Sequence, residues 1–330
     1  MESFIKKEIY ISYYTLDYKD EILKIKSKYL YSKYLGYKFL AYIRFSMIES
    51  DYLLSSTPNI GNPTYPLKKP KMVKNLVHIF HSISDISIYR KGSLDYYDSV
   101  ILGGKFQEKS IRELEQLRGL KKKKLLPLGV PYLDFLIKKK TILNNDNKTI
   151  LIGSSWGNKG CLRIYGIDFI KELSKMKFNI IVRPHPHSFK YEKRFITKCK
   201  NELEKIQNIR WDDSACPSES MNMSDLLISD TSSLRFDFIF IHEKPVITLD
   251  IKANEMTGYE RQYLSKNWTD TSNYEIGPVI NKKSINTIEK EINSLLKNFK
   301  KSKIKNFRAN TIYNFGMGSD SITEYFLNTE

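Results

Sequence analysis

The stretch Asp225–Asp250, DLLISDTSSLRFDFIFIHEKPVITLD, constrains the fold more than any other part of the chain. It reads as a short apolar strand (Leu226–Ile228), a polar turn (Ser229-Asp230-Thr231-Ser232-Ser233), an apolar-rich helix, and a second strand (Val246–Leu249) entered through Lys244-Pro245. A strand, a crossing helix and a strand of these lengths make one βαβ unit, which commits the region to a parallel sheet. The turn falls at the carboxyl end of a strand and the amino end of a helix. Free backbone N–H groups and the helix dipole favour an anion there, and a phosphate is the natural guest. The competing use of Ser232 or Ser233 is simply to cap the helix with its hydroxyl.

The same alternation runs through the rest of the chain. Ile9–Tyr14 clusters β-formers and gives way to a charged, helix-like stretch, Asp20–Lys33. A helix is expected over Ala41–Ser50 and a strand over Tyr52–Ser55, before the turn residues Pro58, Gly61, Asn62 and Pro63. Asn75–Ser82, NLVHIFHS, is an apolar strand with two histidines. Strand side chains alternate faces, so His78 and His81 should part company, with His81 at the carboxyl end where open parallel sheets place ligand-binding groups. A strand Tyr97–Leu102, a helix Gln107–Arg118 and a strand Leu125–Val130 follow.

Apolar periodicity stops around Asn144–Lys148, NNDNK, which is read as a linker between a domain of residues 1–143 and one of residues 144–330. In the second domain, strands Thr149–Gly153, Asn179–Val182, Asn208–Trp211, Leu226–Ile228 and Val246–Leu249 alternate with helices running to about Lys177, over Glu192–Lys205 and near Ser218–Met223. That pattern is a doubly wound sheet whose loops carrying Ser155, His185 and Ser232 open on one carboxyl edge. Ser284–Phe299 reads as a further helix with Ser284 as its cap. The expected fold class is α/β, with two Rossmann-like, doubly wound domains facing a cleft.

A chain of 330 residues with 41% hydrophobic residues can build two such cores. Its formal charge of +17, with lysine runs at Lys121–Lys124 and Lys138–Lys140, favours anionic partners: nucleic acid, an acidic membrane face or phosphate-rich substrates. The alternative is a merely solvated basic surface. No nucleic-acid-binding module is visible, so nucleic acid is not expected as a partner. Cys161, Cys199 and Cys216 are an odd, widely spaced set that argues against a disulfide framework or a zinc site and for a reducing cytoplasm. The amino terminus has no long apolar core, and no run approaches the roughly 18 apolar residues of a membrane span, so membrane contact would be peripheral.

Of five histidines, His81 and His185 lie at or just after strand ends in different domains. An imidazole accepts a proton from an attacking hydroxyl near neutral pH, although each could instead be a hydrogen-bonded structural histidine. Arg183 offers phosphate a planar fork of donors but could be a surface ion pair, and Ser155 could touch a phosphate or cap its own helix. Asp230 sits among the turn hydroxyls. Asp237 and Asp250 could receive hydroxyls of a ribose or an acceptor, or simply solvate the surface. There is no GxxxxGK[ST] loop, GxGxxG fingerprint, HExxH or Asp-x-Asp motif, so no metal site and no bound cofactor are expected, and a nucleotide would be held by helix ends and hydroxyls.

Taken in order, FHS, YYDSVILGG, G-x-P-x-x-D (Gly129–Asp134), SSWG, RPHP and SDTSSxxFDFxxxxxKPxxxxD resemble the CDP-glycerol glycerophosphotransferase family, which includes teichoic acid and capsule polymer enzymes, over about residues 50–290. The resemblance implies a GT-B architecture and transfer of a glycerol phosphate or related polyol phosphate from a CDP-activated donor to a cell-surface polymer or lipid-linked acceptor. By that resemblance His81 is the general base and His185 belongs with the donor phosphates. Ser232 and Ser233 match the hydroxyl pair at the diphosphate, and Asp237 the acid of the FDF segment. An enzyme of this kind would be cytoplasmic, and its lysines would let it attach peripherally to the anionic inner face of the cell membrane. Two features depart from the family pattern. Ser82-Ile83 stands after His81 where teichoic enzymes usually have Gly-Thr, and the chain begins close to the second strand of the usual amino-terminal domain, which is expected to be truncated at its start or compact. The alternative within the same fold is a nucleotide-sugar glycosyltransferase or 2-epimerase, and fold alone does not separate these.

Overall fold

The computed structural model describes residues 1–143, 147–252 and 257–329. The chain forms two units, one of Met1–Asp134, Gly258–Ser265 and Thr311–Glu330, the other of Phe135–Thr257 and Lys266–Asn310. The linker expected over Asn144–Lys148 falls largely on residues 144–146, outside the described residues.

In the first unit, β1 (Ile11–Thr15) and β2 (Leu30–Tyr34) form a two-stranded parallel sheet. The strands β3 (Glu49–Ser55), β4 (Met72–Ile79), β5 (Ser99–Ile101) and β6 (Lys124–Leu126) make a second parallel sheet in that order. The stretch Asp20–Lys33 is not the helix its charge pattern suggests. Asp20 caps only a 3₁₀ turn, Glu21–Lys24, and the β-formers Leu30, Tyr31 and Tyr34 then pair with β1. Strand β4 ends at Ile79, so His81 and Ser82 lie beyond it. Val77, Ile101 and Leu126, on three neighbouring strands, pack against Ile322 of the helix Gly318–Leu327.

The G-x-P-x-x-D motif explains how that last helix is held. The Asp134 carboxylate accepts from the backbone N–H groups of Gly318 (3.2 Å) and Ser319 (2.6 Å), satisfying the helix start. Gly129 has φ +92°, and a Cβ there would lie 2.7 Å from the Tyr313 carbonyl oxygen, so the turn requires glycine. The segment Gly258–Ser265 is fastened to the same unit by the fully buried Glu260, which pairs with Arg118 and accepts from Gly92 N–H at 2.8 Å.

The second unit is one six-stranded parallel sheet of β7 (Thr149–Ser154), β8 (Asn179–Pro184), β9 (Ile209–Trp211), β10 (Leu226–Ser229), β11 (Val246–Leu249) and β12 (Val279–Ile280). Its order, β12-β11-β10-β7-β8-β9, winds outward from β7 in one direction and then returns to build outward in the other. The two central strands, β7 and β10, are buried along their whole length, as both faces are covered, and Leu226, Leu227 and Ile228 are fully buried. β12 follows the Gly277-Pro278 turn and is a sixth strand beyond the five expected. Its two residues are too few for periodicity to register. The helix expected over Glu192–Lys205 is present as Lys193–Leu203, and a short helix, Pro186–Tyr191, precedes it. Ser284 does not begin its helix either. Asn281 caps a 3₁₀ turn, Lys282–Thr287, that leads into the helix Ile288–Asn298.

Candidate functional site

The winding of the second sheet reverses between β7 and β10. In open α/β sheets the crevice beyond the carboxyl ends of such a pair is where ligands bind. The register aligns Ser229 with Gly153 and Gly153 with Arg183, so the loops after β10, β7 and β8 leave one edge together. These loops hold Ser155, His185, Asp230, Ser232 and Ser233.

Asp230 ties two of them across the reversal. Fully buried, its carboxylate accepts from Ser155 N–H (3.1 and 3.0 Å) and Oγ (2.6 Å), Cys161 N–H (2.7 Å) and Ser232 N–H (3.1 Å). Ser155 is thus committed to Asp230, and Asp230 organises the turn from beneath. The first loop closes on itself tightly: at Gly160 a Cβ would lie 2.1 Å from the Ser155 carbonyl oxygen.

Of the turn residues, Ser232 caps weakly, its Oγ accepting from Leu234 N–H at 3.3 Å, while Ser233 makes no side-chain cap. The backbone N–H groups and hydroxyls of Thr231 and Ser233 have no hydrogen-bond partner among the described residues, and both side chains are part-exposed. They are the donors left facing outward at the start of the helix Leu234–His242.

Arg183 is 6% exposed and held by its own unit, its guanidinium donating to Asp212 (2.5 Å), Ser214 Oγ (3.1 Å) and the Ala215 carbonyl (3.3 Å). Burial works to raise the Asp212 carboxyl, but hydrogen bonds from Ser214, Ser220 and Arg183 hold it below its ordinary range. Arg183 therefore fixes the loop after β9. His185 is half-buried and caps the helix Pro186–Tyr191, its Nδ1 accepting from His187 N–H at 3.1 Å. Its ring meets that of His187, which in turn packs edge-on against Trp156 and Tyr191. Glu192 joins the loops after β7 and β8, accepting from Gly157 N–H (2.8 Å), Ser188 Oγ (2.8 Å) and Arg163 Nε (3.1 Å).

Asp237 points elsewhere than the open turn. It is 3% exposed, one carboxyl oxygen has no hydrogen-bond partner among the described residues, and burial pushes its pKa up to about 7. Asp250 is exposed just past β11, its side chain accepting from Lys252 N–H at 2.8 Å.

In the first unit the two histidines separate, His78 within β4 and His81 past its end. His78 is fully buried and shares a 3.1 Å contact with the Tyr89 hydroxyl, and burial pushes its pKa down to about 3. His81 is exposed past the strand end and makes no hydrogen bond among the described residues. The protein around it nonetheless desolvates the imidazole enough to lower its pKa below the ordinary value. Its loop is anchored underneath by Gln107, which donates to the Ser84 carbonyl at 2.7 Å and accepts from Gly103 N–H at 2.6 Å.

Sequence reasoning passed over Asp212, Glu192 and Arg235, the last a wholly buried arginine two residues after Ser233. The polar run after Trp211 was the available signal for Asp212; Arg235 sat in an apolar helix with nothing to mark it. Among the described residues, no three metal-ligating side chains gather.

Several solved structures share this fold. The wall teichoic acid polymerase TagF superposes with a TM-score of 0.60 at 15% identity, covering 99% of this chain and 84% of that one. The UDP-GlcNAc 2-epimerase of Methanocaldococcus jannaschii, in complex with UDP-GlcNAc and UDP, gives 0.58 at 13% identity, covering 96% and 90%. A glycosyltransferase of Rickettsia africae gives 0.56 at 11% identity, covering 97% and 90%. The fold is therefore of the GT-B type shared by such transferases and epimerases. No curated protein sequence matches the chain. The model of the CDP-glycerol:poly(glycerophosphate) glycerophosphotransferase family matches residues 89–314, well over half the chain, and the chain belongs to that family.

Proposed function

We propose that this chain transfers a glycerol phosphate or related polyol phosphate from a CDP-activated donor to a cell-surface polymer or lipid-linked acceptor. The observation that carries the reading is the turn Asp230–Ser233 at the reversal of the second sheet, with its inner carboxylate fully used and its outer N–H and hydroxyl donors unused. A diphosphate is the ligand such donors fit.

In the proposed reaction, His81 takes the proton of the acceptor hydroxyl as its oxygen attacks the phosphorus that bears the polyol. The new O–P bond forms as the bridging P–O bond breaks, and CMP leaves with the bonding pair. Thr231, Ser232, Ser233 and His185 balance the charge that develops on the departing phosphate. Ser155, Asp230 and Arg183 act by fixing the loops that present those groups, and Asp237 lies within the helix that carries the turn. The lowered pKa of His81 keeps its imidazole neutral, and hence basic, at pH 7.

The proposed location is the cytoplasmic side of the membrane. No helix among the described residues is long and apolar enough to cross a membrane. Phe39 (74% exposed) and Met47 (72% exposed) stand on one side of the helix Phe39–Ser46, opposite its buried Ala41 and Phe45, and Lys38 precedes them. Of the run Lys121–Lys124, by contrast, Lys123 is buried, so the run is not an unbroken anchor. Replacing Phe39 and Met47 by serine should release the chain from anionic vesicles; undiminished sedimentation with them would remove this face from the account.

The donor is tested by calorimetry. CDP-glycerol should bind, UDP-GlcNAc should not, and Ser233→Ala should weaken CDP-glycerol about tenfold, the effect of losing one charge-assisted hydrogen bond. A preference for the uridine nucleotide would shift the assignment to a nucleotide-sugar enzyme of the same fold.

A further inference from the structure

At the turn lies a buried cation that forms no salt bridge among the described residues. Arg235, in the first turn of the helix Leu234–His242, is 0% exposed. Its Nε donates to the Ser232 carbonyl at 3.0 Å, and one terminal nitrogen reaches Asn273 Oδ1 and, at 3.4 Å, Thr248 Oγ1. Those partners are all neutral. The other terminal nitrogen has no hydrogen-bond partner, and among the described residues no carboxylate forms a salt bridge with this guanidinium.

A buried charge in no direct salt bridge is costly, and among the described residues only the Asp230 and Asp270 carboxylates act on this one through space. Burial lowers the pKa of this group to about 10 against the opposing pull of Asp230 and Asp270, so it stays charged at neutral pH. The buried Asp230 carboxylate of the same turn would, alone, repel a phosphate placed over Thr231 and Ser233. Arg235 offsets that field from within the protein, where little water screens it. The bond from Nε to the Ser232 carbonyl directs the guanidinium at the turn from below while the unused donors of Thr231 and Ser233 face out above.

We infer that Arg235 is a positioning residue whose buried charge, by offsetting the Asp230 carboxylate in the Asp230–Ser233 turn, makes this helix start a binding site for a diphosphate. The inference rests on the donor assignment above for the identity of the ligand, but not for the anion site itself. Arg235 does not touch the ligand. It acts through the turn, so its removal weakens anions and leaves uncharged nucleosides alone.

The test compares inorganic pyrophosphate, CDP and cytidine by calorimetry on the full chain. Arg235→Gln should weaken pyrophosphate and CDP at least tenfold, leave any cytidine binding unchanged, and not lower the melting temperature of the unliganded protein. A second variant, Asn273→Asp, keeps Arg235 in place and gives it a carboxylate partner. It should raise the melting temperature yet weaken pyrophosphate and CDP in the same way, a result that a purely structural role for Arg235 does not produce. Equal loss of cytidine and CDP, or Asn273→Asp binding both anions as well as the native chain, overturns the inference. Native protein that binds pyrophosphate but not CDP, with both variants weaker, sinks the donor assignment and keeps the anion site. CDP bound equally by all three proteins does the reverse, and native protein that binds neither anion removes both.

Discussion

His81 and Asp237 are the two residues whose surroundings most alter what they can do. His81, desolvated but exposed, should set the acid limb of the rate profile: activity falls as pH drops through its pKa, and because that pKa is lowered, the limb lies below about 6.5. His81→Ala should cost roughly 100- to 10,000-fold in kcat while donor affinity is kept, checked by parallel kinetics and calorimetry. Asp237 has the opposite sign of effect, on stability. Its folded pKa of about 7 lies above the ordinary 3.8, so the folded state holds a proton that the unfolded chain loses. Stability is fullest below pH 3.8, for this group, and declines by on the order of a few kcal/mol as pH rises to 7. Asp237→Asn should flatten that decline in melts taken from pH 5 to 8, and an unchanged slope would contradict the burial argument. That His81 sits near the carboxyl end of an apolar strand was legible in the sequence, but the strand stops at Ile79, short of the expected Ser82, so strand period does not set its direction. The commitment of Asp230 was not, because its partners Ser155 and Cys161 stand 75 and 69 residues away.

At the scale of elements, the molecule depends on carboxylates that fasten loops. Asp230→Ala would strand the N–H groups of Ser155, Cys161 and Ser232, each buried or part-buried, at a cost of about 3 kcal/mol or more in chemical denaturation, and donor binding should fall with it. Asp230→Asn, which keeps an acceptor, should lose less. Glu260→Ala removes the buried partner of Arg118 and should cost about 3 kcal/mol, with faster proteolysis of the segment Gly258–Ser265. Strands with long apolar runs, such as β7, β8 and β10, were legible from composition alone. The Asp20–Lys33 stretch misleads because its lysines match a helical surface as well as an exposed strand, and only pairing with β1 decides between them.

At the scale of the whole molecule, the order β12-β11-β10-β7-β8-β9 is what assembles the candidate site. The sequence shows that strands and helices alternate; it does not show which strand begins at the centre, and hence where the winding reverses. That reversal brings Ser155 and Asp230 together and turns the hydroxyls of Thr231 and Ser233 outward. The central claim is that a nucleotide monophosphate, not a diphosphate, leaves when the transferred group moves. The most direct measurement is chromatographic identification of the nucleotide released when the protein turns over CDP-glycerol with a glycerol-phosphate polymer or lipid-linked acceptor. The account predicts CMP, formed in proportion to glycerol phosphate incorporated and abolished in His81→Ala. Release of CDP, or turnover of UDP-GlcNAc with release of UDP and none of CDP-glycerol, would contradict it.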